Sequence, residues 1–292
     1  MRSLETLSKS IFRLAGRKYL RKIRANSLES VLKNSIKLLD QQTIEEIGLF
    51  LKSQQTPLGG FSDRGGKCDL YYTLFGYFVA EAIGLQEVIP ALKGYVRNIV
   101  LSGDLKGVHL NCAIILYVKL FEVETLPANL REKLVSEKRQ NEPQQAYYSL
   151  FLELLTSYYT EDYFQLYKVQ KALKKSSSSS EMPCSVTSAH LIIQASFGKQ
   201  TDELISALHL FYRKDGSFAA VKHAPIGDLL STGVALYALK FVGYDHRIMK
   251  PDCLNYIDSL YSDGGFCATV LDPGPDVEYT FYGLLALGAL AE

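Results

Sequence analysis
Six apolar segments of similar length recur along the chain, and this repeat limits the fold more than any other feature. Aligned as LYYTLFGYFVAEAIG, LNCAIILYVKLFEV, YYSLFLELLTSYYT, SVTSAHLIIQASFG, LLSTGVALYALKFVG and EYTFYGLLALGALA, they bring a small residue into register at Thr73, Cys112, Ser149, Thr187, Thr232 and Thr280. The spacings are 39, 37, 38, 45 and 48 residues. Eleven residues after the marker stand Gly84, Gly198 and Gly243, the residue type that ends a helix in the left-handed region. Four residues before it stand Asp69, Asp228 and Asp276, a favoured N-cap type. Each segment therefore reads as a helix that is apolar nearly all round. Between them lie stretches apolar on one face only: Thr43 to Gln54, Gln86 to Ile99, Ala128 to Lys138, Glu161 to Leu173, Thr201 to Phe211 and Pro251 to Leu260. Fully apolar helices belong inside and one-faced helices outside, so the expectation is an all-α fold, an (α/α)6 toroid of six inner and six outer helices. All inner helices would then begin at the same mouth. The serine run Ser176 to Ser180 reads as an insertion in one connection.

Residues 1–27 differ from the rest. They hold eight basic residues (Arg2, Lys9, Arg13, Arg17, Lys18, Arg21, Lys22, Arg24) and the single acid Glu5. The remaining 24 basic side chains face 30 acidic ones, so a chain of net charge +1 combines a basic arm with a mildly acidic body. Leu7, Ile11, Leu14, Tyr19, Leu20 and Ile23 fall between the charges at helical spacing, as in an amphipathic helix on an anionic membrane or one packed on the domain with its basic face in solvent. The organisation expected is an arm over 1–27 and one domain over 28–292. Net charge near zero, with no nucleic-acid-reading motif, argues against a nucleic-acid partner. No apolar run is long enough to span a bilayer, and five scattered cysteines without a CxxC pair point to a reducing, cytoplasmic setting, with membrane association through the arm.

Three repeats open with a glycine-rich loop ending in phenylalanine: Gly59-Gly60-Phe61, Asp215-Gly216-Ser217-Phe218 and Asp263-Gly264-Gly265-Phe266. With the register above, these resemble the repeats of protein prenyltransferase β subunits and squalene-type terpene cyclases, from Thr43 to the C-terminus and most clearly in repeats one, five and six. The resemblance implies an α/α toroid with an isoprenoid in its lumen.

The diphosphate-binding repeat of the prenyltransferases has the form GGFxGRxxKxxDxCY. The segment from Gly59 to Tyr72 matches its arginine and lysine at Arg64 and Lys67, with Asp69 one residue early. A guanidinium and an ammonium on a glycine-rich loop before a helix N-terminus suit a diphosphate, and equally suit neighbouring carboxylates such as Asp63. The family's zinc ligands are not preserved: the cysteine position is Tyr71 or Leu230 and the histidine position Asn111 or Tyr279. No cofactor is therefore expected. A substitute zinc site of Asp69 or Cys68 with His109 and Cys112 is the chemical alternative, and the magnesium-binding DDxxD is absent. In place of the DxDD acid motif of class II cyclases stands Asp276-Val277-Glu278-Tyr279, with Glu278 at the proton-donating position. A carboxyl partly withdrawn from water beside another stays protonated, whereas the same residues also make an N-cap and a first-turn acid.

Toroid closure would set repeat six beside repeat one, so Glu278, Asp276 and Asp69 are the candidate catalytic residues. Arg64, Lys67, Tyr71, Tyr72, Tyr279 and Tyr282 are the candidate substrate-binding residues. The chain has 19 Tyr and 14 Phe, and those on inner helices (Phe75, Tyr147, Tyr148, Phe151 and Phe281 besides the tyrosines above) would wall the lumen or pack as core. Three functions compete: a prenyltransferase-like enzyme holding a polyprenyl diphosphate on Arg64 and Lys67, with a helical protein partner as in the resembled family; a cyclase initiated by Glu278; and a non-catalytic toroid binding a lipid or protein.

Overall fold
A computed structural model of the protein describes residues 16–102, 104–122, 124–136, 143–173 and 182–291. The serine run and the first part of the basic arm lie outside them. The described chain is mostly helical. The apolar segments form α4 (Leu70–Ile83), α6 (Gly107–Leu120), α8 (Pro143–Tyr159), α10 (Cys184–Ser196), α12 (Leu229–Val242) and α14 (Val277–Leu290). The amphipathic stretches form α3 (Gln41–Gln54), α5 (Ile89–Ser102), α7 (Ala128–Ser136), α9 (Tyr163–Leu173), α11 (Asp202–His209) and α13 (Lys250–Asp258). The first set is buried on nearly every face, as α14 shows with twelve buried residues from Val277 to Leu290. The second buries one stripe, such as Leu166, Val169 and Leu173 of α9. In space α4 packs on α6, α6 on α8, α8 on α10, α10 on α12, α12 on α14, and α14 on α4.

The register threonine holds each loop to its helix. Thr73, Thr232 and Thr280 accept the backbone N–H of Phe61, Phe218 and Phe266 at 3.0, 2.9 and 3.1 Å, and donate to the carbonyls of Asp69, Asp228 and Asp276. Those aspartates cap α4, α12 and α14 through side-chain bonds to first-turn N–H groups, each cap contributing about 1 kcal/mol. The phenylalanine rings of repeats one and six lie where a Cβ on Gly76 or Gly283 would stand, so glycine three residues after the threonine is required. Each loop glycine seats on an amphipathic helix: Gly59 against Ala91 of α5, Gly216 against Asp252 of α13, and Gly264 against Glu46 of α3. All three have positive φ, at 96°, 86° and 79°. The six-residue stretch from Tyr261 to Phe266 also makes a short hairpin, β1 (Tyr261–Ser262) with β2 (Gly265–Phe266).

The N-terminal segment packs onto this assembly. Residues 16–25 form α1, and Leu28–Ser35 form α2, which Ser27 caps. Leu20 and Ile23 are buried in the core, so the apolar side of the basic helix is taken up by the protein itself. Residues 19–31 reach the C-terminal parts of five apolar helices. Glu29 pairs with Lys119 of α6 (3.0 Å) and accepts from Tyr159 of α8 (3.0 Å). Tyr19 meets Phe197 after α10, the Asn26 carbonyl accepts from Tyr237 of α12 (2.8 Å), and the Val31 backbone lies on Gly288 of α14. The sixth, α4, packs on α2.

In repeat four the position of Gly76 and Gly283 is held by His190. The imidazole is 3% exposed and stacks on Tyr147 at 4.1 Å. Its Nε2 lies 2.7 Å from Gln194 Nε2, whose amide donates to it, and its Nδ1 meets no partner among the described residues. Burial pushes its pKa down from 6.5 to about 4. The unfolded chain therefore takes up a proton that the native state refuses, and stability falls as pH drops from about 6.5 toward 4. Urea midpoints measured across that window should decline less steeply in His190→Gln than in the wild type.

Candidate functional site
The N-terminal ends of α4 and α14 bring together charges from the first and last repeats. Arg64, on the loop before α4, donates from Nη2 to Asp272 Oδ2 (3.0 Å) and from Nε to Asp276 Oδ2. Its guanidinium also lies 5.1 Å from the centre of the Tyr279 ring. The carboxylates are fixed in turn: Asp272 accepts from the backbone N–H of Ala268 (2.8 Å), and Asp276 from that of Tyr279 (2.8 Å). These partners raise the already high pKa of Arg64 further. Since the arginine is half exposed, the ion pairs contribute on the order of 0–1 kcal/mol each and act mainly to orient the groups.

Glu278, in the first turn of α14, faces α4 across this clamp. Its Oε1 accepts from the Tyr71 hydroxyl at 3.0 Å. Burial raises its pKa above the usual glutamate value, and the nearby Asp276 carboxylate adds to the rise, while bonds from Tyr71 and Tyr72 and the charge of Arg64 oppose it. The same surroundings raise the tyrosines: burial and then Asp276 and Glu278 push Tyr72 up, and burial and then Glu278 push Tyr279 up to about 12. Asp69 accepts from the N–H groups of Tyr71 (2.8 Å) and Tyr72 (3.1 Å) and meets His109 Nε2 of α6 at 3.1 Å with its other oxygen. Lys67 is exposed on the loop, and Asp63 accepts its backbone N–H.

The candidate residues thus separate into groups. Arg64, Asp276, Glu278, Tyr71, Tyr72 and Tyr279 form one cluster, and Asp69 joins it only through the backbone of Tyr71 and Tyr72. Tyr282 lies below, 8% exposed, packed on Phe75 (5.5 Å) and Phe281 (5.2 Å), and meets the cluster through the Tyr279 ring (6.3 Å). Ring contacts continue from Tyr71 to Phe75 (4.4 Å), Phe281 (4.6 Å), Phe78 (6.1 Å) and Tyr159 (6.3 Å). These aromatics pack on one another, while first-turn residues such as Tyr71, Tyr72, Val108, Leu230 and Tyr279 are part-exposed. Asp272 was not among the expected residues. Its only signal was its position four residues before the capping Asp276.

The substitute zinc set does not assemble. Asp69 and His109 meet, but Cys112 is buried and its thiol is pushed up to about 12, chiefly by burial. Among the described residues no three His, Cys, Asp or Glu side chains are placed to hold a metal ion. No helix among them is long and apolar enough to cross a membrane. No protein-family model matches the chain, and no curated protein matches it.

Proposed function
We propose that the six helix pairs close into an (α/α)6 toroid whose mouth binds an uncharged isoprenoid, and that Glu278 protonates it. The contact of α14 with α4 supports closure, as does the seat of the last loop, through Gly264, on the first amphipathic helix. The observation that carries the chemistry is Glu278 itself: a carboxyl with a raised pKa, held by the Tyr71 hydroxyl beside part-exposed aromatic rings. Its proton adds to an alkene carbon and leaves a tertiary carbocation, which the electron-rich faces of Tyr71, Tyr72 and Tyr279 stabilise. Loss of a different proton to the Glu278 carboxylate completes an isomerisation or cyclisation, restores the acid, and needs no oxidant or co-substrate.

Arg64 is the reason for an uncharged substrate. A diphosphate would have to displace both Asp272 and Asp276 from the guanidinium and sit among Asp276, Glu278 and Asp69. Thermal shift separates the readings. Uncharged polyprenes such as farnesene or squalene should raise the melting temperature, and farnesyl diphosphate should not exceed them. Stabilisation by the diphosphate alone, lost in Arg64→Ala, would overturn this reading in favour of prenyl transfer. Stabilisation by a polyprene that is always recovered unchanged would leave a binding protein in place of an enzyme.

A further inference from the structure
We propose that α1 and α9 together form a docking face for anionic membranes, independent of the chemistry at Glu278. The two helices are joined by two contacts, the Tyr163 ring on Gly16 and a hydrogen bond donated by Gln170 to the Tyr19 hydroxyl (3.1 Å), and Arg24 pairs with Glu161 (3.3 Å) just before α9. Residues 16–27 and 163–173 carry seven basic side chains (Arg17, Lys18, Arg21, Lys22, Arg24, Lys168 and Lys171) and no acid. The bordering acids are engaged locally, Glu161 by Arg24 and Asp162 as the cap of α9.

A second observation accompanies the charge. An outer helix is expected to turn polar residues to solvent, yet α9 turns out Phe164 and Tyr167, 54% and 44% exposed. The Lys168 ammonium lies 4.8 Å from the centre of the Phe164 ring. Exposed aromatic rings flanked by lysine stems and heads are the chemistry of a lipid headgroup boundary, where the ring enters the acyl edge and the ammonium reaches phosphate. The apolar side of α1 is buried against the domain, so α1 attracts by charge and the aromatics of α9 make the shallow insertion.

The test is co-sedimentation of the full chain with vesicles. The protein should pellet with phosphatidylserine-containing vesicles, not with pure phosphatidylcholine, and should be released at high salt. With roughly a fivefold loss of partitioning for each basic charge removed, Arg17→Gln with Lys18→Gln and Arg21→Gln should lower it about a hundredfold. Phe164→Ser with Tyr167→Ser should lower it about tenfold at an unchanged melting temperature. Equal pelleting with and without phosphatidylserine, or no effect of the combined Arg17→Gln, Lys18→Gln and Arg21→Gln substitutions, would overturn the proposal. So would absence of vesicle binding together with a light-scattering dimer that Phe164→Ser with Tyr167→Ser abolishes, which would assign the face to a second copy of the chain.

Discussion
Alanine at Gly288 should lower the melting temperature by roughly 6–12 °C, the shift expected for a loss of about 3 kcal/mol in a domain of this size. At Gly288 the backbone of α2 crosses α14 so closely that a Cβ would overlap the carbonyl oxygen of Val31, with the carbonyl carbon of Val31 at 2.7 Å and Ser35 N at 3.3 Å. Both partners are helical backbone, and neither can turn aside as a flexible side chain would. The helices must separate, which loosens the contacts of Glu29 with Lys119 and Tyr159 as well. Trypsin should then cut α1 faster at Arg17, Lys18 and Arg21. Gly94, exposed within α5 with nothing near its missing Cβ, is the control. Gly94→Ala should leave the protein unchanged or stabilise it by about 0.5–1 kcal/mol, the opposite sign for the same substitution.

Glu278→Gln should reduce turnover of the uncharged isoprenoid by a factor of roughly 10²–10⁴, the usual contribution of a positioned general acid. The amide can still accept from the Tyr71 hydroxyl, so the fold should be kept and the loss confined to the proton. The wild-type rate should fall as pH rises through the Glu278 pKa, because the protonated form is the active one. The stability term has the same direction. A carboxyl whose native pKa lies above its unfolded value gives up its proton at a cost to the folded state, so the wild type loses stability relative to Glu278→Gln as pH rises from the unfolded toward the native pKa.

The helices were legible where local rules determine them. Asp69, Asp228 and Asp276 announce helix starts because the cap needs only a short acceptor two or three residues before the N–H groups it bonds. Gly84 and Gly243 announce helix ends because φ near +75° excludes most other residues. Thr73, Thr232 and Thr280 were visible as a register but not as a bond, since the phenylalanine N–H they hold comes from a loop 12 to 14 residues earlier. Repeats two to four lack the glycine–phenylalanine loop and the Asp cap, which is why they read faintly. The short helix α2 was missed, although Ser27 with Leu28, Val31 and Leu32 is an N-cap followed by a helical apolar stripe. Of the site, the meeting of Glu278 with Tyr71 and of Arg64 with Asp276 follows from setting repeat six beside repeat one. The pairing of Arg64 with Asp272 spans 208 residues and depends on how two loops settle against each other, for which no local pattern exists.

Turnover in deuterium oxide tests the central claim most directly. The Glu278 proton exchanges with solvent, so an uncharged isoprenoid processed by the wild-type protein should carry one solvent-derived deuterium on carbon per product molecule, and Glu278→Gln should form almost no product. Product free of deuterium, or labelled product formed undiminished by Glu278→Gln, would contradict the assignment of Glu278 as the initiating acid.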